Sequence, residues 1–199
     1  MKKELIKAVI FSTRPVNQAL LKWASQFDFQ VISVPFGDPQ MIACARNRAC
    51  KEFLDGEHKY LLLLDDDAWP VKETNPIITS SLPVCGCAAV SRHGGVAHPG
   101  RHEIGAHCLR ISKAALLTMK DSALFDESKG WFCFEFADCG SELVNCEDGY
   151  FSRLADACGY RPIKVGVIGH VLPMVVVPSG DGIRADFPER MEDAKLDTE

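Results

Sequence analysis

The strongest constraint on the fold is the stretch Tyr60–Asp67, in which four leucines lead directly into three consecutive aspartates. A short, continuously apolar run that ends at a turn signal, here Pro70, is typical of a strand buried on both faces, as in the middle of a parallel sheet. The acids then lie at the carboxyl end of a central strand, where open α/β sheets bind their ligands. This one stretch therefore predicts both a fold class and the position of a site.

The three acids, Asp65, Asp66 and Asp67, repel one another unless a positive charge lies among them. Hard divalent cations take oxygen ligands, keep several waters and bridge to phosphates. We therefore expect Mn²⁺ or Mg²⁺ at this turn. The alternative is a solvated acidic turn after a core strand, which would be the preferred interpretation for a single aspartate but not for three in a row.

Composition narrows the class of protein. The chain of 199 residues suits one α/β domain, and its 47% hydrophobic and 25% charged content is ordinary for a folded protein. The net charge of −5 argues against a surface that neutralises many phosphates of a nucleic acid. No apolar segment is long enough for a signal peptide or a transmembrane segment, so the nine cysteines are expected to be reduced thiols of a cytoplasmic protein.

A zinc site is the alternative use of the cysteines. Free cysteine is more often a small buried hydrophobe, and the spacing here lacks the CxxC pattern of zinc knuckles. The loosely spaced residues that such a site would draw on are Cys133, Cys139, Cys146 and Cys158, with His93, His98, His102 and His107 upstream.

The first 67 residues predict the order β-α-β-α-β. That order demands a mainly parallel central sheet flanked by helices, with right-handed crossovers. The predicted strands are 5–11, 29–34 and 60–67, and the predicted helices are 16–27 and 41–55.

The second half is less regular but completes a single domain. We expect helices at 75–82, 113–119 and 148–158, strands at 84–90, 108–111 and 163–168, and loop regions at 91–105 and 125–146. The domain is expected to span residues 1–178. The polar, acidic residues 179–199 are expected to form a C-terminal tail.

Several short stretches, in order from Val9 to His170, resemble one family. They are Val9–Arg14, Ala45–Ala49 leading into Tyr60–Asp67, Phe125–Glu127 with Trp131-Phe132, Cys146–Phe151, and Gly169-His170. Together they resemble the GT-A-fold nucleotide-sugar glycosyltransferases, of the family 2 type. The resemblance implies a single Rossmann-like GT-A domain.

The resemblance also implies a reaction. A nucleotide-diphosphate sugar would pass its sugar to an acceptor hydroxyl, while Mn²⁺ or Mg²⁺ neutralises the departing diphosphate. The implied metal ligands are Asp65, Asp67 and His170. The residues implied to contact the donor nucleotide or its sugar are Thr13, Arg14, Arg46, Asp65 and Asp66.

An inverting transfer needs a base that takes the proton of the acceptor hydroxyl. By resemblance Asp148 has that role, with Glu147 as the neighbour that would substitute for it. The alternative is a pair of acids that offsets a helix dipole. Trp131 and Phe132 are implied on the acceptor side, where they would stack on a sugar ring; packing in the core is the alternative. The acceptor itself, whether a glycan, a lipid-linked molecule or a small molecule, is not indicated.

Other functions remain open from the residues alone. A non-catalytic relative of the fold would bind a nucleotide or a partner without turnover. A haloacid-dehalogenase-like phosphatase also carries Asp-x-Asp after an apolar strand, but usually after its first strand. A nucleotidyltransferase would need a glycine-rich loop after the first strand, and Ser12–Pro15 contains no glycine.

Overall fold

The structure is a computed structural model that describes residues 5–35, 39–90, 104–137, 142–170, 175–179 and 182–186. Its elements, in chain order, are β1 (Ile6–Ser12), α1 (Gln18–Ala24), β2 (Asp28–Ser33), α2 (Pro39–Asp55), β3 (Tyr60–Asp65), β4 (Ala68–Trp69), a 3₁₀ turn (Lys72–Thr74), α3 (Pro76–Thr79), β5 (Val84–Val90), β6 (Cys108–Ser112), α4 (Lys113–Lys120), β7 (Glu135–Ala137), β8 (Glu142–Asn145), α5 (Glu147–Ala157), β9 (Ile163–His170), β10 (Val175–Ser179) and β11 (Gly182–Asp186).

A seven-stranded sheet in the order β2-β1-β3-β6-β5-β9-β4 organises the chain. β1 is parallel to β2 and β3, and β5 is parallel to β9. β6 lies antiparallel between β3 and β5, and β4 is antiparallel to β9. Five strands therefore run in one direction and two run against them. The predicted β-α-β-α-β order and the mixed α/β class are confirmed, but the sheet is mixed because β6 interrupts the parallel series.

The central strand is buried on both faces, as predicted. Leu61 and Leu63 pack in the cluster on the side of α2, α4 and α5, whereas Leu62 and Leu64 pack on the side of α1 and α3. All four leucines are 0% exposed. Burial of one leucine side chain contributes about 2 kcal/mol, so this strand is a large part of what stabilises the sheet.

The sheet curls because two strands that are far apart in its order are adjacent in the chain. Asp65 ends β3, the third strand, and Ala68 begins β4, the seventh. Only Asp66 and Asp67 connect them, so the β9–β4 edge must return to the carboxyl end of β3. There Ala68 pairs with His170 of β9.

Two segments differ from the sequence-based expectation. The region 125–146, expected to be a loop, contains an antiparallel hairpin of β7 and β8. Part of the expected tail, β11, pairs with β10, so the boundary expected at residue 179 falls within a hairpin. In both cases short strands with little alternation are stabilised by their partner strand, which a local pattern does not reveal. Residues 91–103 of the predicted loop and 187–199 of the predicted tail lie outside the described residues.

Trp131 and Phe132 lie in the core. Each is 1% exposed. The indole Nε1 of Trp131 donates to the carbonyl of Leu116 over 3.2 Å, and the ring of Phe132 stacks on Phe151 with centroids 4.8 Å apart. The expected acceptor-side role needs an exposed ring face, which neither residue has. The core-packing alternative describes both correctly.

Asn47 of α2 holds the backbone of this segment. Its Oδ1 accepts from the amides of Trp131 (2.8 Å) and Phe132 (3.0 Å), and its Nδ2 donates to the carbonyls of Lys129 (3.0 Å) and Phe132 (2.7 Å). Gly130 has a φ of +71°, and a Cβ there would lie 2.6 Å from Asn47 Oδ1. The glycine therefore satisfies both the turn and the close approach of the amide.

Among the described residues, no helix is long and apolar enough to cross a membrane.

Replacement of Asn47 by alanine is expected to destabilise the fold. The four hydrogen bonds above would be lost and buried backbone groups left without partners, at a cost of about 2 to 4 kcal/mol in the free energy of unfolding. Urea denaturation measures the change. Asn75→Ala is the matched control, because Asn75 is exposed and its side-chain oxygen accepts one hydrogen bond, from Trp23 Nε1. Equal loss in the two variants would contradict the assignment of Asn47.

Candidate active site

Three potential metal ligands converge at the curled end of the sheet. The ligand atoms of Asp65, Asp67 and His170 all lie within 4.8 Å of one another. Asp65 ends β3, Asp67 lies in the turn that follows, and His170 is brought to them by its pairing with Ala68. No other such group of three His, Cys, Asp or Glu residues occurs in the part of the chain that the structure describes. The predicted metal set is therefore assembled in space.

One carboxylate oxygen of Asp67 has no hydrogen-bond donor among the described residues. Its Oδ1 is buried and accepts no hydrogen bond from the described residues, although it lies 3.3 Å from Nε2 of His170. Its Oδ2 accepts from Arg14 Nη2 over 2.8 Å. Burial raises the pKa of Asp67 and the charge of Asp65 raises it further, while His170 and Arg14 oppose the shift.

A divalent cation fits this arrangement. Two carboxylates and one imidazole are ligands of Mn²⁺ and of other first-row metals, whereas Mg²⁺ more strongly prefers oxygen alone. A cation would also give the buried oxygen of Asp67 the partner that it lacks. With three protein ligands, a bound cation would have room for water or a phosphate oxygen as well.

Asp66 faces away from this group. It is 6% exposed and accepts from the amide of Thr13 (2.7 Å), the hydroxyl of Thr13 (3.1 Å) and the amide of Arg14 (3.1 Å). These bonds fix the turn after β1 against the turn after β3. Two of the predicted nucleotide contacts, Thr13 and Asp66, are therefore partners of each other. Their side chains hold this turn in place, and Thr13 remains exposed.

Arg14 is the exposed cation of the site. Its Nε lies 3.3 Å from Asp66 and its Nη2 lies 2.8 Å from Asp67, yet its side chain is 54% exposed. The guanidinium has five N–H donors, so it retains donors for an anionic ligand after these contacts. The position suits the predicted contact with a phosphate.

Arg46 has a different environment. Its side chain is 3% exposed; Nη2 donates to Asp65 Oδ1 over 2.7 Å, and Nη1 donates to Glu147 Oε1 and lies 3.5 Å from Asp148 Oδ1. Burial works against its charge, but the three carboxylates raise its pKa above the ordinary value. The structure thus places this predicted nucleotide contact among carboxylates inside the protein. By contrast, Arg48 is 76% exposed and pairs with Glu52 on the same helix.

Asp148 lies at the first turn of α5, where the helix dipole favours an anion. Its Oδ1 accepts from the amide of Ala106 over 2.9 Å. Burial raises the pKa of Asp148 to about 7, Glu147 adds to the shift, and Arg46 opposes it. A carboxyl that titrates near neutrality is suited to take a proton from a hydroxyl. Glu147 is 8% exposed and bonded to Arg46, so it is the less accessible of the two predicted acids.

His107 lies in the same region, although the sequence favours a loop or acceptor-site polar group there, with zinc ligation as the alternative. Its ring centroid lies 5.2 Å from that of His170, and its carbonyl accepts from the amide of Asp65 over 3.2 Å. Burial lowers its pKa to about 4. The ring is therefore neutral at pH 7, with Nε2 3.2 Å from the carbonyl of Cys87.

The one sequence signal for His107 is a glycine. A Cβ at Gly105 would lie 2.2 Å from the His107 ring, so a larger residue there would displace the imidazole, whereas its 3.5 Å distance from Asp148 Oδ2 would be an ordinary contact. Gly-x-His before a strand was too common a pattern to be recognised in advance. Of the residues in the zinc alternative, His93, His98, His102 and Cys139 lie outside the described residues.

Carboxylates outnumber cations here. Five carboxylates surround two arginines, so the site favours an added cation and disfavours a bare polyanion. The five are Asp65, Asp66, Asp67, Glu147 and Asp148, and the arginines are Arg14 and Arg46.

Comparison with known proteins shows a shared fold but no family. No family model matches the chain, and no curated protein matches it. Among solved structures, it is similar to one described as the crystal structure of A197 from STIV, with a TM-score of 0.56 and 15% identity over 94% of this chain and 97% of that one. The likeness shows that the two chains share a fold over nearly their whole length.

Asp148 should make stability depend on pH in a defined direction. Its pKa is about 7 in the folded state and near 3.8 when unfolded, so the folded state retains a proton that the unfolded state releases. Its contribution to the free energy of unfolding is therefore present at acidic pH and is lost as pH rises through about 7. Relative to Asp148→Asn, the wild-type free energy of unfolding should fall between pH 4 and 7, by up to about 1.4 kcal/mol per pH unit.

Urea denaturation at several pH values measures this difference. Asp156→Asn is the matched control, because Asp156 is exposed on the same helix. A wild-type-minus-Asp148→Asn difference that stays flat over this range would show that Asp148 is not a group with a raised pKa.

Proposed function

We propose that the protein is a metal-dependent glycosyltransferase that moves a sugar from a nucleotide-diphosphate donor to an acceptor hydroxyl, with inversion. The observation that supports it best is the joint placement of two groups at one end of the sheet. The Asp65–Asp67–His170 group suits a divalent cation, and the carboxyl of Asp148, held near it by Arg46, suits a base.

The metal side would hold the leaving group. When bound, the cation would neutralise charge that develops on the departing diphosphate. Asp67 offers its unpaired Oδ1, and Asp65 has its Oδ2 free of the bond that Arg46 makes to Oδ1. Arg14, exposed beside Asp67, would donate to a phosphate oxygen, which stabilises the charge that grows as the bond to the sugar breaks.

The base side would act on the acceptor. Asp148 is 27% exposed, so part of the carboxyl reaches solvent while Oδ1 is fixed by the amide of Ala106. Near neutral pH it is ionised in part of the molecules and accepts the proton of the attacking hydroxyl. One displacement assisted by one base inverts the anomeric carbon.

The donor is therefore proposed to be a nucleotide-diphosphate sugar, and the cofactor Mn²⁺ or Mg²⁺. Since His170 is one of the ligands, we place Mn²⁺ first. The acceptor is unassigned, because the two aromatic residues expected to contact it lie in the core. Action in the cytoplasm remains a prediction from the cysteine content.

Nucleotide-diphosphate sugars should stabilise the protein only in the presence of the cation. A ligand at about one hundred times its dissociation constant stabilises by about 2.7 kcal/mol, which a thermal-shift measurement detects easily. Each nucleotide diphosphate and sugar nucleotide is tested with and without Mn²⁺, followed by an assay for release of the nucleotide diphosphate. Binding without turnover would favour the non-catalytic alternative. Stabilisation by a phosphomonoester alone would favour the phosphatase.

Asp67→Asn should weaken Mn²⁺ binding by at least about tenfold while the protein stays folded. The substitution keeps the shape of the side chain but removes its negative charge, and with it the carboxylate whose Oδ1 lacks a hydrogen-bond donor among the described residues. Loss of one ligand typically costs more than about 1.4 kcal/mol of metal-binding free energy. Calorimetric titration with Mn²⁺ measures the affinity. Asp55→Asn, at an exposed carboxylate near the end of α2, is the matched control. Unchanged affinity in Asp67→Asn would remove Asp67 from the metal set.

A further inference from the structure

One guanidinium joins the two halves of the site. Arg46 contacts Asp65, at the end of β3, through Nη2, and it contacts Glu147 and Asp148, at the start of α5, through Nη1. We propose that Arg46 is a positioning residue that fixes the metal-side carboxylate and the base at one spacing and favours the charged form of Asp148, which accepts a proton. This inference rests on the proposed function for the roles of the two halves, but the link itself is a property of the protein alone.

The side chain is held rigidly and away from water. Its Cζ lies 5.8 Å from the ring centroid of Phe11 and 5.9 Å from that of Phe132. The side chain is 3% exposed. Phe132 and its neighbour Trp131 are in turn held by Asn47, one residue along α2 from Arg46. The burial of Phe132 therefore bears on the site, because its ring forms one wall around the Arg46 guanidinium.

A buried cation in this position requires the fork of an arginine. The planar guanidinium presents its two Nη groups in different directions, one toward β3 and one toward α5, so a single side chain spans elements more than 80 residues apart in the chain. Lysine has the same charge on one atom. It would reach one of the carboxylates and leave the spacing of the other unfixed.

The charges around Asp148 show what Arg46 does for it. Among the described residues, the groups around Asp148 are Glu147 on its own helix, Asp65 on β3, Arg46 on α2, the amide of Ala106 before β6 and, across Gly105, the neutral ring of His107. Two of these are negative, and Arg46 is the positive one among them. Without it, three carboxylates would lie together in a buried site, and at least one of them would hold a proton at neutral pH. A protonated Asp148 cannot accept the proton of a hydroxyl.

The test follows the carboxyl of Asp148 in the full-length protein without ligands. Carbon-13 NMR titration gives the midpoint of its protonation, and the signal is assigned by its absence in Asp148→Asn. In Arg46→Met, which removes the charge, the midpoint should rise by about one pH unit or more. In Arg46→Lys it should rise less. Arg48→Met is the control on the same helix, because Arg48 pairs only with exposed Glu52, and it should leave the midpoint unchanged.

Turnover measurements on the same variants then distinguish the effect of the Arg46 charge from the effect of its geometry. The acid limb of the pH–rate profile should move upward in Arg46→Met and be partly recovered at higher pH. Arg46→Lys should lower turnover at every pH, since charge is kept but spacing is lost. A merely structural role would lower turnover in both variants without moving the limb.

The outcomes distinguish this inference from the proposed function. An Asp148 midpoint that is the same in wild type and Arg46→Met overturns the inference, whatever the protein catalyses. A shifted midpoint in a protein that binds no sugar nucleotide supports the link and overturns the function. If Arg46→Met does not fold, Arg46→Met/Glu147→Gln is compared with Glu147→Gln, because removal of one carboxylate relieves the repulsion. An equal midpoint in that pair overturns the inference as well.

Discussion

The two-residue connection between β3 and β4 is the constraint from which the site follows. A chain that ends the third strand of a sheet at Asp65 and begins the seventh at Ala68 can do so only if the sheet curls. The curl carries the end of β9 to the end of β3, and with it His170 to Asp67. Asp66, inside the connection, is bonded to Thr13 and so ties the same turn to β1. The ligand group is thus a consequence of how the sheet closes.

The second constraint is electrostatic. Burial of carboxylates is costly unless each has a partner, and here the partners are shared. Arg46 serves Asp65, Glu147 and Asp148, and Arg14 serves Asp66 and Asp67. Oδ1 of Asp67, Oδ2 of Asp65 and the imidazole of His170 remain for a cation. Asp148 keeps a raised pKa in spite of Arg46, because burial is the largest influence on it. A site of this kind is stable enough to form and still poised to bind metal and to take up a proton.

Local patterns predicted the elements well. Apolar runs, helical spacing and turn residues located the three strands and two helices up to Asp65, and the four leucines correctly indicated a strand buried on both faces. The same patterns placed the acids at a strand end, and the family resemblance added His170 to Asp65 and Asp67, three residues that the structure brings together. The patterns did not predict β7, β8 and β11, because a short strand without strong alternation forms only when it pairs with a partner strand. They also failed for Trp131 and Phe132, because an aromatic residue in an irregular segment gives no sign of whether its ring faces the cleft or the core.

The sequence by itself determined the α/β class, the central strand and the presence of acids at its carboxyl end, since these depend on residue type and spacing along one segment. Only the tertiary structure decided which groups face one another. In the folded protein Asp66 bonds to Thr13 and not to the group of Asp65 and Asp67. Arg46, expected to contact the nucleotide, is buried among carboxylates. His107 lies close to the site, where Gly105 leaves room for its ring. The contacts of Arg46, for example, join residues 19 to 101 positions apart, and those contacts create the burial. Orientation and burial are properties of the assembled sheet, and no local pattern of residues carries them.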